Sequence, residues 1–343
     1  MHFRRNVMKY SIFCLADYYE EDNTLISSYY KEIQQQIILA DLLDFDTFWV
    51  AEHHFKNEHG SLASPALFLA AASQNTEKIR LGVAVSVIPL HNPIRIAEDF
   101  AMLDVLSNGR MRFATGSGYL QYEFEGFNIK SDQRLSLLNE GIEVINRLWT
   151  EEKVNFQGKH FQVNTGLNIR PNRCVEPPMM AVVRTEAVHA MAKKGQPIFI
   201  SSLSIKNIEE LNELVREYKQ IYLEHGHPEN EMNISYCLNV VLDHSDEVAR
   251  EAGINALQRL FDHRGIQRTP LDFIDENLCL FGSPSKVAKL LNQYIESGIT
   301  ELAISASFGQ IGHKQACNTM DLLKKEVLPL VDKKNNVDYV VSK

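Results

Sequence analysis

The sequence lacks most of the marks by which a function is read at sight. Its five cysteines, Cys14, Cys174, Cys237, Cys279 and Cys317, are odd in number, and no two stand at CxxC spacing. That pattern offers no zinc motif and fits reduced thiols in the cytoplasm. No apolar run approaches the roughly 20 residues of a membrane helix. Basic residues are the minority, 35 against 44 acidic ones, for a net charge of −9. Such a balance argues against general affinity for nucleic acid or an anionic membrane. There is no Walker loop, no GxSxG elbow and no Cys–His nucleophile signature. No Gly-rich turn follows Leu15 either, so an open doubly wound dinucleotide-binding sheet loses its usual support. Arg4, Arg5 and Lys9 precede an apolar stretch at 10–16, but that stretch is too short for a leader, and Asp17, Glu20, Glu21 and Asp22 follow at once.

What the chain does have is a globular composition, 343 residues with 45% hydrophobic and 23% charged. β-like apolar runs alternate with helical patterns throughout. The strand candidates are 10–15, 47–51, 80–87, 111–115, 179–183, 197–201, 234–242 and 301–305. Between them lie one-face helical spacings, such as Leu135, Leu138, Ile142, Ile145 and Leu148, or Val287, Leu290, Leu291, Tyr294 and Ile295. Eight strands each followed by a helix predict an α/β fold closed as a (β/α)8 TIM barrel. A hairpin insertion is expected near 154–163, and a long lid loop near 262–282. The domain reading is an N-terminal extension at 1–7, one barrel domain at 8–331 and a flexible tail at 332–343.

Barrel enzymes place their chemistry just past the C-terminal ends of the strands. After the second strand comes Glu52-His53-His54-Phe55. Adjacent side chains there point in opposite directions, so only one histidine aims into the mouth. Histidine suits a general base near neutral pH, and a surface or core-satisfied histidine fits the same spacing equally. A metal site on His53, His54 and His59 lacks a supporting carboxylate pattern, so no metal is expected. After the fourth strand, Gly116-Ser117-Gly118-Tyr119 lets backbone approach a ligand closely, or simply makes a tight strand exit. Arg184-Thr185 opens a helix and Arg134 opens another. Both suit a phosphate, and an ordinary cap or a surface ion pair fits each as well.

Two blocks, FDTFWVAEHHF (45–55) and HNPIRIAEDFAMLD…NGR (91–110), form a specific signature together, with GSPSKV (282–287) further on. With them the chain resembles the bacterial luciferase-like, flavin-dependent monooxygenases (alkanal monooxygenase-like) from Met8 to about Val331. The resemblance implies a TIM barrel that takes reduced FMN from a separate flavin reductase. Oxygen then adds to give a flavin hydroperoxide that oxidises a small apolar carbonyl or aldehyde-like substrate. It implies His53 as the catalytic base, and Ala84-Val85 as a non-prolyl cis peptide against the flavin ring. Gly116 and Tyr119 would stand beside that ring, with Arg134, Arg184 and Thr185 at its phosphate. A homodimer through the second and third helices, with Ala70, Ala71 and Ala72, is part of the same expectation. Three departures separate this chain from luciferase itself. Ser117 stands where the family often has arginine, Gly116 where luciferase has a reactive cysteine, and Val183 where it has a carboxylate near the phosphate. Two rivals remain: a deazaflavin-dependent hydride-transfer oxidoreductase, and a non-catalytic partner subunit of a luciferase-like heterodimer.

Overall fold

The structure, a computed structural model, describes residues 8–171, 179–181 and 185–331. The expected extension at 1–7 and tail at 332–343 lie outside the described residues. Among the described residues, nine parallel strands form the main sheet. They are β1 (Lys9–Cys14), β2 (Thr47–Val50), β3 (Arg80–Val87), β4 (Met111–Gly116), β7 (Met179–Ala181), β8 (Ile198–Ser201), β9 (Ile234–Leu242), β10 (Cys279–Gly282) and β11 (Glu301–Ser307). The strands β5 (Val154–Gln157) and β6 (Gln162–Leu167) make the antiparallel hairpin, slightly longer than expected.

Closure is explicit in the pairing. The sheet runs β9-β11-β1-β2-β3-β4-β7-β8, and β8 then pairs with the first half of β9, which joins eight strands into a ring. The ninth strand, β10, pairs only with the later residues of β9, Asn239 to Leu242. Strands in such a ring are covered on both faces and read as continuous apolar runs, as β9 does with every residue buried.

Seven strands send one side chain each into a common interior cluster: Phe13, Trp49, Ala84, Ala114, Phe199, Cys237 and Ala303, with Val85 beside them. Small residues face large ones there. A Cβ on Gly82 would stand 2.3 Å from Trp49 Cε3, so the glycine of β3 makes room for the indole of β2. Trp49 Nε1 in turn donates to Glu301 Oε1 at 2.9 Å. Ser11 and Ser235 donate to the same carboxylate, and Arg112 lies 3.5 Å from it. This buried charge on β11 is therefore satisfied by residues from four other strands.

The outer helices follow the expected faces with one exception. Leu138, Ile145 and Leu148 are buried in the helix Arg134–Thr150, but Leu135 is 59% exposed. The long lid expected near 262–282 is corrected. That stretch holds the end of the helix Asp246–Arg264, the short helix Pro270–Asp275 and β10. Thr269 forms a reciprocal capping box with Asp272, and Phe273, Leu278 and Leu280 are buried. Order follows from those buried apolar side chains, which have no helical or alternating period to betray them.

Candidate functional site

The alternation at the end of β2 separates the two histidines as expected. His53 is only 9% exposed and sits between two charged partners from distant parts of the chain. Its Nδ1 lies 3.1 Å from Glu123 Oε1, and Arg264 Nη2 lies 3.2 Å from its Nε2. A guanidinium only donates, so Nε2 accepts and the neutral imidazole carries its proton on Nδ1, donated to Glu123. Burial, and secondarily the charge of Arg264, push the His53 pKa down, against the pull of Glu123. The result is a neutral base with its orientation fixed at both nitrogens.

Each partner has a local reason for its place. Glu123 lies on the short helix Gln121–Gly126 that follows β4, is 1% exposed, and also accepts the backbone N–H of His54 at 2.9 Å. Arg264 is the last residue of the helix after β9, and Gly265 stops that helix in a left-handed conformation at φ +65°. The same helix is held to the loop after β1 by Arg259, which bridges Asp22 at 2.6 Å and Glu21 at 2.9 Å and covers the Tyr19 ring. Arg264 Nη2 also donates to His59 O at 2.8 Å, but its Nε is buried without a partner. Asp17, fully buried just past β1, accepts from Tyr19 and from Gly309 N, and its Oδ1 has no partner. Burial raises the Asp17 pKa, and the charge of Arg264 opposes that.

His54 faces the other way, edge-on to Phe127, and its Nε2 lies 3.3 Å from Glu52 Oε1. His91 Nε2 approaches the same oxygen at 2.6 Å, and Ser86 donates to Oε2 at 3.0 Å. His59 instead pairs with Tyr122 and with His263 O, so His53, His54 and His59 do not converge on one point. Among the described residues, a group of metal-ligand type does form at Glu52, His54 and His91, with its atoms within 4.8 Å of one another.

A model of the family described as luciferase-like monooxygenase matches residues 8–301. This chain belongs to the luciferase-like monooxygenase family. It is 28% identical to the uncharacterized protein y4wF of Sinorhizobium fredii, over 93% of this chain and 97% of the other. It is 29% identical to the alkanal monooxygenase alpha chain of the Kryptophanaron alfredi symbiont, over 68% and 66%. Among solved structures, monooxygenase RslO1 from Streptomyces bottropensis superposes with a TM-score of 0.86 at 24% identity, covering 94% and 99%. The oxygenating constituent of 3,6-diketocamphane monooxygenase from Pseudomonas putida, in complex with FMN, gives 0.77 at 15% identity, covering 94% and 98%. An F420-dependent secondary alcohol dehydrogenase gives 0.74 at 19%, covering 95% and 99%. These structural likenesses establish the shared luciferase-like fold.

Two features of this luciferase-like chain fit a phosphate-bearing flavin. Arg134 opens a 17-residue helix, and its Nε is buried without a partner, a donor left over for an anion. A Cβ on Gly116 would stand 2.6 Å from Val85 Cγ2, so the strand-end turn is as narrow as backbone allows. The Ala84–Val85 peptide is cis, as expected. Tyr119 is 65% exposed, with its ring centroid 6.4 Å from that of His53. Thr185 opens the helix Thr185–Lys193, whereas Arg184 lies outside the described residues. Glu123, Arg264 and Asp17 were not singled out by the sequence. The one signal for Glu123 was an acid flanked by Tyr122 and Phe124 in a strand-four exit.

Proposed function

We propose that this chain is a two-component monooxygenase that receives reduced FMN from a separate flavin reductase and uses molecular oxygen to oxidise a small carbonyl or aldehyde-like substrate. The observation that carries this reading is the Glu123–His53–Arg264 chain, with its buried base, taken with the unpaired Nε of Arg134. Arg134, with Arg184 and Thr185, holds the phosphate. Ala84, Val85, Gly116 and Tyr119 border the ring. Bound reduced flavin supplies the electrons that activate oxygen. His53 takes a proton at Nε2 as the Arg264 contact there gives way, and Glu123, on Nδ1, stabilises the imidazolium that results. The base itself is only 9% exposed, which strengthens its electrostatic contacts.

The known alkanal monooxygenase and the FMN complex among the similar proteins support this choice. The F420-dependent neighbour favours the deazaflavin alternative, and parallel titration with FMN and F420 separates the two. A partner-subunit role would not require an intact buried base. Leu67, Met102, Val105 and Leu106 are exposed on the helices Pro65–Ser73 and Pro93–Leu106, a fit for the homodimer face. The four described cysteines are free, and no described helix is long and apolar enough to cross a membrane, which agrees with a cytoplasmic setting.

The test uses decanal as the probe. Protein loaded anaerobically with reduced FMN is mixed with labelled oxygen and decanal. Label should enter decanoic acid. His53→Ala should lower that yield by about 10² while leaving the FMN dissociation constant nearly unchanged. No label in the wild-type product refutes the reaction, and full yield from the variant refutes the role of His53.

A further inference from the structure

Arg264 carries more than its contact with His53 explains. Arginine remains charged at every physiological pH, and a half-buried guanidinium whose Nε is shut off from water is expected to have a counter-ion. Among the described residues, no carboxylate forms an ion pair with Arg264. Its described bonds run to a neutral imidazole nitrogen and one carbonyl, both from Nη2, and its buried Nε is unpaired. The nearby Asp17 leaves Oδ1 unpaired as well and turns its other oxygen to Tyr19 and Gly309. A cation with a spare donor therefore stands beside the base, at the C-terminal rim of the barrel.

We propose that Arg264 is the receptor for the substrate's carbonyl oxygen, which it binds through its unpaired Nε as that oxygen becomes negative, while Nη2 stays on His53 and His59. This rests on the carbonyl-oxidation reading above. Activated dioxygen donates an electron pair to the carbonyl carbon, and the C=O π pair moves onto the carbonyl oxygen. That oxygen is then an alkoxide, held by the guanidinium until its pair re-forms C=O. As it does, the carbon's hydrogen (or, in a ketone, an alkyl group) migrates with its bonding pair to the newly attached oxygen. The O–O bond breaks, its pair leaving on the other oxygen, which takes up a proton. A fixed cation aimed at a site of developing charge stabilises it without reorganising at the moment of reaction. The substrate class follows: an aldehyde or ketone with its oxygen directed at Arg264, next to His53. Asp17 Oδ1 is left to meet a polar hydrogen of the ligand or a bridging water.

The experiment compares decanoate, whose charged oxygen mimics the alkoxide, with decan-1-ol, by calorimetry on the full chain. Wild type should bind decanoate at least tenfold more tightly than decan-1-ol. Arg264→Met should abolish that preference while binding decan-1-ol as before, and Arg264→Lys should keep part of it. A purely structural arginine would change both affinities together. If Arg264→Met does not fold by circular dichroism, Arg264→Lys decides: decanoate alone must weaken. A wild type without the preference, or a preference that survives in the variants, overturns the proposal. FMN affinity, measured separately, reports on the monooxygenase reading. Loss of FMN binding with the carboxylate preference intact would overturn that reading and retain the anion receptor.

Discussion

Replacing Glu52 by glutamine should destabilise the fold by about 3 kcal/mol near pH 6, and by less at pH 9. Glu52 is 3% exposed and accepts from His91, His54 and Ser86, with Val87 N at 3.4 Å. Burial alone would raise its pKa. The hydrogen bonds and charges of the two histidines overcome that and bring it from 4.5 down to about 2. A displacement of that size corresponds to about 3 kcal/mol of linked stability, which counts the pair's coupling once. It also matches the usual consequence of removing one partner of a buried pair, about 3–5 kcal/mol. The pH window follows from the two signs. The Glu52 value is lower in the folded state, so its contribution is present above pH 4.5 and is lost as pH falls toward about 2. Burial opposes the charge on His91, but the Glu52 carboxylate wins and raises its pKa above 6.5. That contribution is present below pH 6.5 and is lost as pH climbs through the folded value. The two overlap between about pH 4.5 and 6.5. Urea denaturation of wild type and Glu52→Gln at pH 6 and pH 9 measures both quantities. A difference below about 1 kcal/mol at pH 6, or one equal at the two pH values, would refute the reasoning.

Three further outcomes follow from the site. Arg134→Gln should weaken FMN binding about 10- to 100-fold, the loss of one charged hydrogen bond, and leave riboflavin binding unchanged; equal weakening for both ligands would show that Arg134 does not meet the phosphate. Activity should fall as pH drops through a midpoint below 6.5, because His53 must be neutral and burial lowers its pKa. In a pH profile of label incorporation, Glu123→Gln should move that midpoint lower still, since Glu123 is what raises it. Val105→Glu places a charge in the exposed apolar face and should convert a dimer into a monomer by light scattering, without loss of helicity.

The barrel was legible because closed parallel strands announce themselves as apolar runs between amphipathic helices. The strand β10 escaped because CLFG is four residues ending in glycine, too short to oppose the polar residues around it. His53 was legible up to a point: alternation at a strand end allows one of two histidines into the mouth, but not which partners await it. Glu123 and Arg264 meet it across 70 and 211 residues of sequence. No local period links them, because the ring of strands brings the exits of β2 and β4 to one rim and the helix after β9 carries Arg264 to it at its far end. The trace that Arg264 does leave is its position before Gly265. A glycine that stops a helix in the left-handed conformation fixes the last side chain at that helix's end. On a barrel, a helix that runs back from its strand ordinarily ends at the far side, yet this 19-residue helix ends with Arg264 against the mouth histidine. Its direction is therefore the departure that matters: a helix turned so that its terminal cation reaches the base makes sense as part of the site, and less sense as packing alone.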